Sequence, residues 1–333
     1  MSVTVIDVAK EAGVSRTTVS NVFSGRAKFS EETRVAVLAA AKKLGYKPNL
    51  AARSLITNKS RLIGLILPSY LDTNTLTNSP FYNIIIDGIY AILREEPFYD
   101  LMLFTIPRRE SLTKASEWID IRNVDGILAI GEYEPSFLAD LNSKDIPIVL
   151  IDNYAHNRYQ NFAHILSDDE TGAFTATQFL IERGYKHIAL CSSAMYSPLM
   201  QKRALGYKRA LDSVGYTEQI FSGGDMAYES GLQFADELIK QNMDAAFCSE
   251  DMLAIGLLHA LLANGVKVGS EFGLIGFDNI NFSKQVYPEL TTIDQNIFAK
   301  GQTAAKTLLS ILKGEEVNLH QVLPVELVIR NTT

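Results

Sequence analysis

The sequence predicts a small all-α head followed by an α/β core of two lobes, each built on a parallel sheet. Helix-capping side chains and stop glycines recur at short intervals near the N-terminus, which favours a few short helices. From Leu62 onward, short apolar runs alternate with stretches of helical length and period. That alternation indicates parallel strands covered by helices on both faces, and roughly 270 residues of it exceed what one sheet holds.

Composition is that of an ordinary globular protein. The 333 residues are 47% hydrophobic and 21% charged, and their number suggests two or three domains. No apolar run approaches the roughly 18 residues that a membrane span needs, and the N-terminus shows no secretion signal. We therefore expect a cytoplasmic protein with no membrane contact. Cys191 and Cys248 lie far apart in apolar runs, which predicts buried free thiols and no metal site.

Charge is divided unevenly along the chain. The whole chain carries 31 Lys and Arg against 38 Asp and Glu, for a net charge of −7. Residues 1–60 hold ten of the basic residues and four of the acidic ones, so this segment carries a net charge of +6. A basic head on an acidic body suggests that the head meets a polyanion.

Three short helices are predicted in the head. Thr4 caps the first, with Asp7 completing a capping box, and Gly13 ends it in a left-handed conformation. Ser15 caps the second helix and Ser30 the third. The third helix is expected to bury Val35, Leu38, Ala39 and Leu44. A helix, a short glycine-containing turn and a second helix form a helix-turn-helix, whose second helix enters the major groove of DNA.

Polar side chains on the outward face of the second helix are candidates for reading bases. They are Arg16, Thr17, Ser20 and Asn21. Arg pairs with guanine and Asn with adenine through two hydrogen bonds each. Lys28, Arg34 and Lys47 are better placed for phosphates. A three-helix bundle with no DNA role is the alternative interpretation.

The stretch "TVIDVAKEAGVSRTTVSNVFSGR", followed two residues later by "FSEETRVAVLAAAKKLGYKPNLAARSL", resembles the N-terminal region of the lactose repressor/galactose repressor (LacI/GalR) family of bacterial transcriptional regulators. Order, spacing and residue types agree over almost all of this region. The resemblance implies a domain over residues 1–47 that binds double-stranded operator DNA. It also implies that Arg16, Thr17 and Asn21 choose the operator.

Residues 48–60, "PNLAARSLITNKS", are too few for a stable isolated helix. By resemblance they form a hinge helix, which folds when two protomers lie side by side on DNA. Leu55 then matches the leucine that wedges into the minor groove at the operator centre. In the free monomer a flexible linker is expected. The full set of predicted DNA contacts is Thr4, Ser15, Arg16, Thr17, Thr18, Ser20, Asn21, Lys28, Arg34, Ala52 and Leu55.

The body carries polar residues at several predicted strand ends, where ligands of open α/β sheets bind. Aromatic residues nearby could stack on a sugar ring, and they are Phe81, Tyr82, Tyr154 and Tyr196. Residues 61–333 resemble a periplasmic-binding-protein-like core, in which the chain crosses between the lobes three times. The N-lobe would then cover about 61–163 and 292–322, and the C-lobe about 164–291 and 323–333.

The same resemblance implies an effector site between the lobes. The segments "LIDN", "RALGY" and "IGFDN" place Asp152, Arg203 and Asp278 in it. A guanidinium group with carboxylates across a cleft suits a polyhydroxylated ligand. The alternative role for Arg203 is a structural salt bridge between the lobes.

Three departures from the family pattern affect the predicted effector site. The loop from Ser69 to Pro80 is longer than usual, Met226 replaces a frequent stacking aromatic, and Glu250 adds a carboxylate. The predicted effector contacts are Ser69, Phe81, Tyr82, Asp152, Arg203, Met226, Glu250 and Asp278.

Together these features predict a dimeric transcriptional repressor of carbohydrate-utilisation genes, nucleoid-associated in the cytoplasm. A mono- or disaccharide is the favoured effector, a nucleoside or another metabolite is the alternative, and no cofactor is expected. Whether the effector releases or strengthens DNA binding stays open. The chain stops after "LPVELVIRNTT" without a leucine heptad, and by resemblance to the tetrameric lactose repressor this favours a homodimer.

An enzyme and a sugar-binding transport protein are the two alternative functional classes. An enzyme could use the acidic run Asp168, Asp169 and Glu170, or Ser192 near His187, but such a run more readily begins a helix. No nucleophile elbow, phosphate-binding loop or zinc-protease motif occurs in the sequence. A sugar-binding transport protein would carry a secretion signal and no DNA-binding head. We therefore expect a regulator without enzymatic activity.

Overall fold

A computed structural model of the chain describes residues 3–24, 29–46, 60–69, 79–95, 99–107, 119, 123–155, 157–193, 197–223 and 227–333. The chain divides into two compact units, Met1–Arg61 and Leu62–Thr333. Most of the predicted hinge lies outside the described residues. The same holds for the individual candidates Lys28, Lys47, Ala52, Leu55, Tyr196 and Met226.

The head consists of three helices held by the caps that the sequence predicts. They are α1 (Val5–Glu11), α2 (Arg16–Ser24) and α3 (Glu31–Leu44). The Asp7 carboxylate accepts hydrogen bonds from the Thr4 amide at 2.9 Å and from the Thr4 hydroxyl at 2.7 Å. The Ser15 hydroxyl oxygen accepts from the Thr18 amide at 3.0 Å, and Ser30 caps α3 in the same way at 3.3 Å. These bonds satisfy amides that have no partner within their helix.

The core of the head uses a different face of α3 from the predicted one. Val37, Ala40 and Ala41 are buried, whereas the predicted Val35, Leu38 and Ala39 are exposed, so this part of the expected stripe was wrong. Leu44, the last predicted member, does pack against the core. Both sets have helical spacing, and the choice depends on packing. The two alanines share one buried cluster with Val8 of α1 and Val19 of α2. The residues buried in this core are Val8, Ala9, Val19, Val37, Ala40 and Ala41.

The first lobe of the body is a parallel sheet of six strands. They are β1 (Leu62–Ser69), β2 (Asp100–Pro107), β3 (Gly126–Ile130), β4 (Ile148–Ile151), β5 (Ala163–Ser167) and β11 (His320–Leu323). Their spatial order is β11-β5-β4-β3-β1-β2. The helices of this lobe are α4 (Pro80–Glu95), α5 (Pro135–Asn142) and α10 (Ile297–Lys313). Strands β3, β4 and β5 are buried along their whole length, because helices cover both faces.

The second lobe repeats this arrangement. Its strands are β6 (Ile188–Ser192), β7 (Ile220–Ser222), β8 (Ala245–Cys248), β9 (Gly273–Asp278), β10 (Thr291–Asp294) and β12 (Glu326–Val328). Its helices are α6 (Asp169–Glu182), α7 (Pro198–Asp212), α8 (Ala227–Lys240) and α9 (Asp251–Ala263). The order β12-β10-β9-β8-β6-β7 matches that of the first sheet strand for strand, although β12 pairs antiparallel with β10. Helices α6 and α7 pack on one face and α8 and α9 on the other.

The chain passes between the two sheets three times, but two of the crossings lie later than the predicted lobe boundaries. Strand β5 belongs to the first sheet because Ala163 pairs with Val149, so the first crossing follows Ser167 and not residue 163. Strand β10 belongs to the second sheet because Thr291 pairs with Ile275. The second crossing therefore follows β10, whereas the sequence interpretation placed it before residue 292.

The two cysteines are buried and free, as the sequence predicts. They are nevertheless neighbours, because Cys191 of β6 stands in register with Cys248 of β8. Within the described ranges, no helix is both long and apolar enough to cross a membrane.

Candidate DNA-binding surface and effector cleft

The start of α2 presents part of the predicted DNA-contact set. Arg16 and Thr17 are exposed on its first turn. Ser20 and Asn21, which come later on the same helix, are half-buried. The more exposed of these four side chains are therefore those at the N-terminal end of α2, the end that contacts bases in helix-turn-helix proteins.

Several other predicted contacts also act within the head. Ser15 and Thr18 form the cap of α2, and their hydroxyl oxygens lie 2.8 Å apart. Thr4 belongs to the capping box of α1. An Arg34 guanidinium nitrogen lies 4.0 Å from a Glu31 carboxylate oxygen, and both side chains are exposed. Because such an exposed ion pair is weak, Arg34 can exchange it for a phosphate at little cost.

In the body, two carboxylates stand at equivalent strand ends of the two lobes. Asp152 directly follows β4 and Asp278 ends β9, and each strand is the fourth from the matching edge of its sheet. Their φ angles are positive, 52° and 126°. Residues other than glycine rarely adopt positive φ angles, because the Cβ atom then crowds the backbone. The backbone is therefore strained at both of these aspartates. The two residues lie at the carboxyl ends of parallel strands, where ligands of such sheets bind.

Asp152 is paired with Lys300 of α10, a residue that sequence reasoning missed. The Lys300 Nζ atom lies 2.7 Å from Oδ1 and 2.9 Å from Oδ2 of Asp152, and it also donates to the Gln295 Oε1 atom. Its side chain is 0% exposed and lies 5.7 Å from the centre of the Phe81 ring. The signal in the sequence was a lysine on the apolar stripe of α10, between Ile297 and the buried turns that follow it.

Close packing of α10 against α4 places Lys300 beside the sheet. Gly301, the next residue, faces the backbone of α4 so closely that an added Cβ would overlap the Ile85 carbonyl oxygen. A glycine is therefore required for this approach. The arrangement buries the ammonium group next to the end of β4.

Gln295 joins the two lobes at the second crossing. Its Oε1 atom accepts from Lys300 and from the Ser167 hydroxyl at 3.1 Å, both in the first lobe. Its Nε2 atom donates to Asp278 Oδ1 at 2.5 Å in the second lobe. A single amide thus connects the polar groups at the strand ends of both sheets.

Arg203, which the resemblance places in the effector cleft, is almost completely buried. Its Nε atom donates to Asp169 Oδ1 at 2.8 Å. Its guanidinium carbon Cζ lies 3.6 Å from the centre of the Phe277 ring. Arg203 also donates to the Ser249 carbonyl oxygen and lies 3.9 Å from Asp278 Oδ1. These partners all belong to the second lobe, so the salt bridges of Arg203 do not join the lobes.

Close packing of α7 on α6 positions Arg203 against Asp169. Gly206, from the segment "RALGY", faces the Glu170 carbonyl oxygen so closely that a Cβ atom would overlap it. The glycine of this segment therefore sets the distance between the helices, and the arginine one turn earlier reaches the start of α6.

A second contact between the lobes comes from Tyr154. Its hydroxyl donates to Asp169 Oδ2 at 2.6 Å. Burial and the neighbouring Asp169 charge raise the pKa of Tyr154, so its hydroxyl keeps the proton that it donates. We call these connected groups, which are buried or half-buried, the cleft cluster; its members are Asp152, Tyr154, Asp169, Arg203, Asp278, Gln295 and Lys300.

The remaining predicted effector contacts differ in their environment. Glu250 precedes α9 and accepts a hydrogen bond from the Ser193 hydroxyl. Phe81 is half-buried near Lys300, whereas Tyr82 is 7% exposed and packs in the apolar core. Ser69 ends β1, and its side chain lies outside the described part of the chain.

Burial perturbs the acids of the cleft. It raises the pKa of Asp278 to about 7 against the opposing charge of Arg203, and Glu250 adds to the rise. Burial also raises the pKa of Asp152, against the charge of Lys300. Four carboxylates, those of Asp152, Asp169, Glu250 and Asp278, face the two cations Arg203 and Lys300. An excess of acceptors favours a ligand rich in hydroxyl donors and opposes an anionic one.

The residues considered for catalysis are separated or have structural roles. The Asp168 carboxylate caps α6 by accepting from the Thr171 amide at 3.1 Å. His187 precedes β6 and Ser192 ends it, which puts them about 16 Å apart along an extended strand. Among the described residues, no cluster of three or more His, Cys, Asp or Glu could hold a metal ion.

Both parts of the chain match known families. Residues 4–49 match the family described as bacterial regulatory proteins, lacI family, and residues 177–333 match a periplasmic binding protein-like domain. The HTH-type transcriptional repressor CytR of Escherichia coli strain K12 is 31% identical over 336 residues, covering 99% of this chain and 96% of CytR. The chain belongs to the LacI family of bacterial regulatory proteins.

Solved structures of LacI-type regulators share this fold. The lac repressor dimer bound to operator and the anti-inducer ONPF matches with a TM-score of 0.84 at 26% identity, over 100% of this chain and 99% of that one. A complex of the transcriptional regulator CelR with cellobiose matches with a TM-score of 0.75 at 26% identity, over 99% of this chain and 100% of the CelR chain. This LacI-family protein is therefore a DNA-binding transcriptional repressor and not an enzyme, and the predicted family and fold class are confirmed.

Proposed function

We propose that this LacI-family repressor controls carbohydrate-utilisation genes and responds to an uncharged mono- or disaccharide bound between its two lobes. The observation that carries the proposal is the cleft cluster, in which buried donors and acceptors from both lobes meet at the crossings of the chain. A ligand bound there touches both lobes, so its binding energy can favour one closure over another.

The chemistry of the cluster supports a polyol. Asp152 and Asp278 offer acceptors to sugar hydroxyls, Arg203 offers donors, and Phe81 beside Lys300 is available to contact a sugar ring. The surplus of carboxylates opposes phosphorylated and acidic sugars. Among the similar structures, CelR is described in complex with cellobiose, a neutral disaccharide.

For DNA, we propose that two heads of a homodimer read the half-sites of a pseudo-palindromic operator. Arg16 and Thr17 at the exposed start of α2 would contact bases, and Arg34 would contact phosphate. The hinge assignment of residues 48–60, with Leu55 as the minor-groove wedge, remains part of this proposal. The similarity to the lac repressor, described as a dimer on operator, supports the dimer.

The test is a binding titration with labelled duplexes from the DNA upstream of the gene. Fluorescence anisotropy at fixed salt would be measured with and without D-glucose, D-galactose, D-ribose and cellobiose, and with adenosine as a nucleoside. We expect one sugar to change operator affinity by about 5- to 150-fold, the usual range of allosteric coupling. If adenosine alone changes the operator affinity, the effector is a nucleoside and not a sugar.

A matched pair of variants ties the response to the cleft. Asp278→Asn removes a buried carboxylate of the cluster and should weaken the sugar response, whereas Asp212→Asn at the exposed end of α7 should not. A sugar response that both variants retain in full would place the effector elsewhere.

A further inference from the structure

The buried ammonium group of Lys300 lies beside Asp152, on the first-lobe side of the proposed effector site. An ammonium group has three N–H donors, and the three acceptors around Lys300 are both oxygens of Asp152 and the Gln295 Oε1 atom. All three donors are therefore used. The lysine stem is fully buried beside Phe81.

The partners of Lys300 are the groups that a sugar would need. Asp152 and Phe81 are two of the predicted effector contacts, and the described hydrogen bonds to the Asp152 carboxylate both come from Lys300. Asp152 is 5% exposed, so little of its carboxylate remains for a ligand. A sugar hydroxyl that donates to Asp152 must compete with the ammonium group.

The same ammonium is connected to the second lobe. Gln295 accepts from Lys300 and donates to Asp278, so the chain Asp152–Lys300–Gln295–Asp278 spans both lobes. A ligand that draws Asp152 away from Lys300 would therefore act on a side chain that also donates to Gln295. The lysine thus bonds both a predicted effector contact and the residue that joins the lobes.

We infer that Lys300 is an internal competitor of the effector and a determinant of its affinity. Its ammonium holds the acceptors of Asp152 and Gln295 until a donor-rich ligand, a neutral sugar, takes them over. Lys300 therefore sets the effector concentration at which the repressor responds. This inference rests on the proposed function, because it assumes a sugar in the cleft.

The decisive variant is Lys300→Met, which keeps the length of the buried stem and removes the charge. We expect it to bind at least one of D-glucose, D-galactose, D-ribose and cellobiose about tenfold or more tightly than the wild type, measured by isothermal titration calorimetry. The control is Lys306→Met on the exposed side of the same helix, which should bind as the wild type does. A lysine with a purely structural role predicts the opposite result, a loss of affinity.

The gain must depend on Asp152. Adding Asp152→Asn to Lys300→Met should abolish the tighter binding, because the released carboxylate is what the sugar gains. If Lys300→Met fails to fold by circular dichroism, Lys300→Gln keeps one donor to Asp152 and should show a smaller gain of the same sign.

A measurement without ligand tests the connection between the lobes. In Lys300→Met, amide hydrogen exchange of the segment 294–300 should become faster, whereas Lys306→Met should leave it unchanged. Unchanged exchange in Lys300→Met would overturn the coupling, and so would sugar binding no tighter than that of the wild type.

The outcomes separate this inference from the proposed function. A sugar that alters operator binding but binds wild type and Lys300→Met equally overturns only the inference. Tighter sugar binding by Lys300→Met that leaves the operator complex unchanged overturns only the regulatory proposal. A cleft that binds none of these sugars in either protein overturns both.

Discussion

Asp152 and Asp278 are structural counterparts in the two lobes. Each lies at the carboxyl end of the fourth strand of its sheet, each has a positive φ angle, and each is followed by an asparagine. Asn153 donates to the Gly131 carbonyl oxygen at 2.9 Å, and Asn279 donates to an Asp294 carboxylate oxygen at 2.9 Å. These bonds tie both strained turns to neighbouring strand ends, which keeps the two carboxylates in place.

The two carboxylates differ in their partners. Asp152 meets a lysine ammonium at 2.7 Å, whereas Asp278 meets the Gln295 amide and the more distant Arg203. Of the two, Asp278 is therefore the acid whose charge is less completely balanced. This difference leads to the first prediction, on pH.

Asp278 should contribute a fall in the stability of the protein as pH rises from about 4 to about 7. Its folded pKa of about 7 lies above the ordinary value of 3.8, so in this window the folded state holds a proton that the unfolded state has lost. Rising pH then favours unfolding, by roughly 1–4 kcal/mol for one such group. Urea unfolding at pH 5 and pH 8 measures the change.

Asp278→Asn should lose this part of the pH dependence, because the amide does not titrate. Other buried acids titrate in both proteins, so the informative quantity is the difference between wild type and variant. Asp212→Asn, at an exposed position, serves as the control. Identical pH profiles for wild type and Asp278→Asn would show that Asp278 is ionised normally.

Tyr154→Phe should weaken the contact between the lobes without disturbing the core. The change removes the hydroxyl that donates to Asp169 at 2.6 Å and leaves Asp169 paired with Arg203. Loss of a buried hydrogen bond to a charged group costs about 1–3 kcal/mol of unfolding free energy.

Urea unfolding gives this cost, and sugar titration gives its effect on the cleft. Tyr287→Phe removes a hydroxyl from a side chain that is 91% exposed and should change neither quantity. Equal stability of Tyr154→Phe and wild type would mean that the hydrogen bond to Asp169 contributes nothing to the free energy of unfolding.

Gly206→Ala should separate α6 from α7. The new Cβ would overlap the Glu170 carbonyl oxygen, a backbone atom that cannot rotate away. Such overpacking costs about 1–3 kcal/mol, and the shift also pulls Arg203 from Asp169. Thermal unfolding should detect the loss.

The comparison for this variant is Leu205→Ala, the adjacent position, which is exposed on α7. It should change the unfolding free energy by no more than about 0.5 kcal/mol. A Gly206→Ala protein as stable as the wild type would show that the helix pair can adjust freely.

Arg16→Ala and Arg34→Ala should affect DNA binding in different ways. Arg16, at the exposed start of α2, is proposed to read a base, so its loss should cost about 1–3 kcal/mol on the operator and reduce discrimination between sequences. Arg34 is proposed to contact phosphate, so its loss should weaken all sequences alike and lower the salt dependence.

Salt titrations on operator and scrambled duplexes separate these two effects. If Arg16→Ala weakens both duplexes equally, its contact is with the backbone. If Arg34→Ala leaves the salt slope unchanged, the guanidinium does not meet a phosphate.

Local signals in the sequence determined the caps, turns and element types of this protein. A serine or threonine oxygen caps its own helix within three residues, so Ser15 and Ser30 could be recognised without knowledge of the rest of the fold. The alternation of apolar runs and helices likewise determined the two-lobed class. The family pattern then indicated Asp152, Arg203 and Asp278 as residues of one cleft.

Tertiary structure alone decided which equivalent helical face became core and which distant groups met. The spacing of α3 allows burial of Val35 and Leu38 as well as of Val37 and Ala40, and only packing against α1 and α2 selects the second pair. Lys300 and Asp152 are 148 residues apart, and no local periodicity links an ammonium on α10 to a carboxylate after β4. Capping and patterning act over a few residues, whereas burial and ion pairing act through space, which is why the pairing of Lys300 with Asp152 could be recognised only in the folded protein.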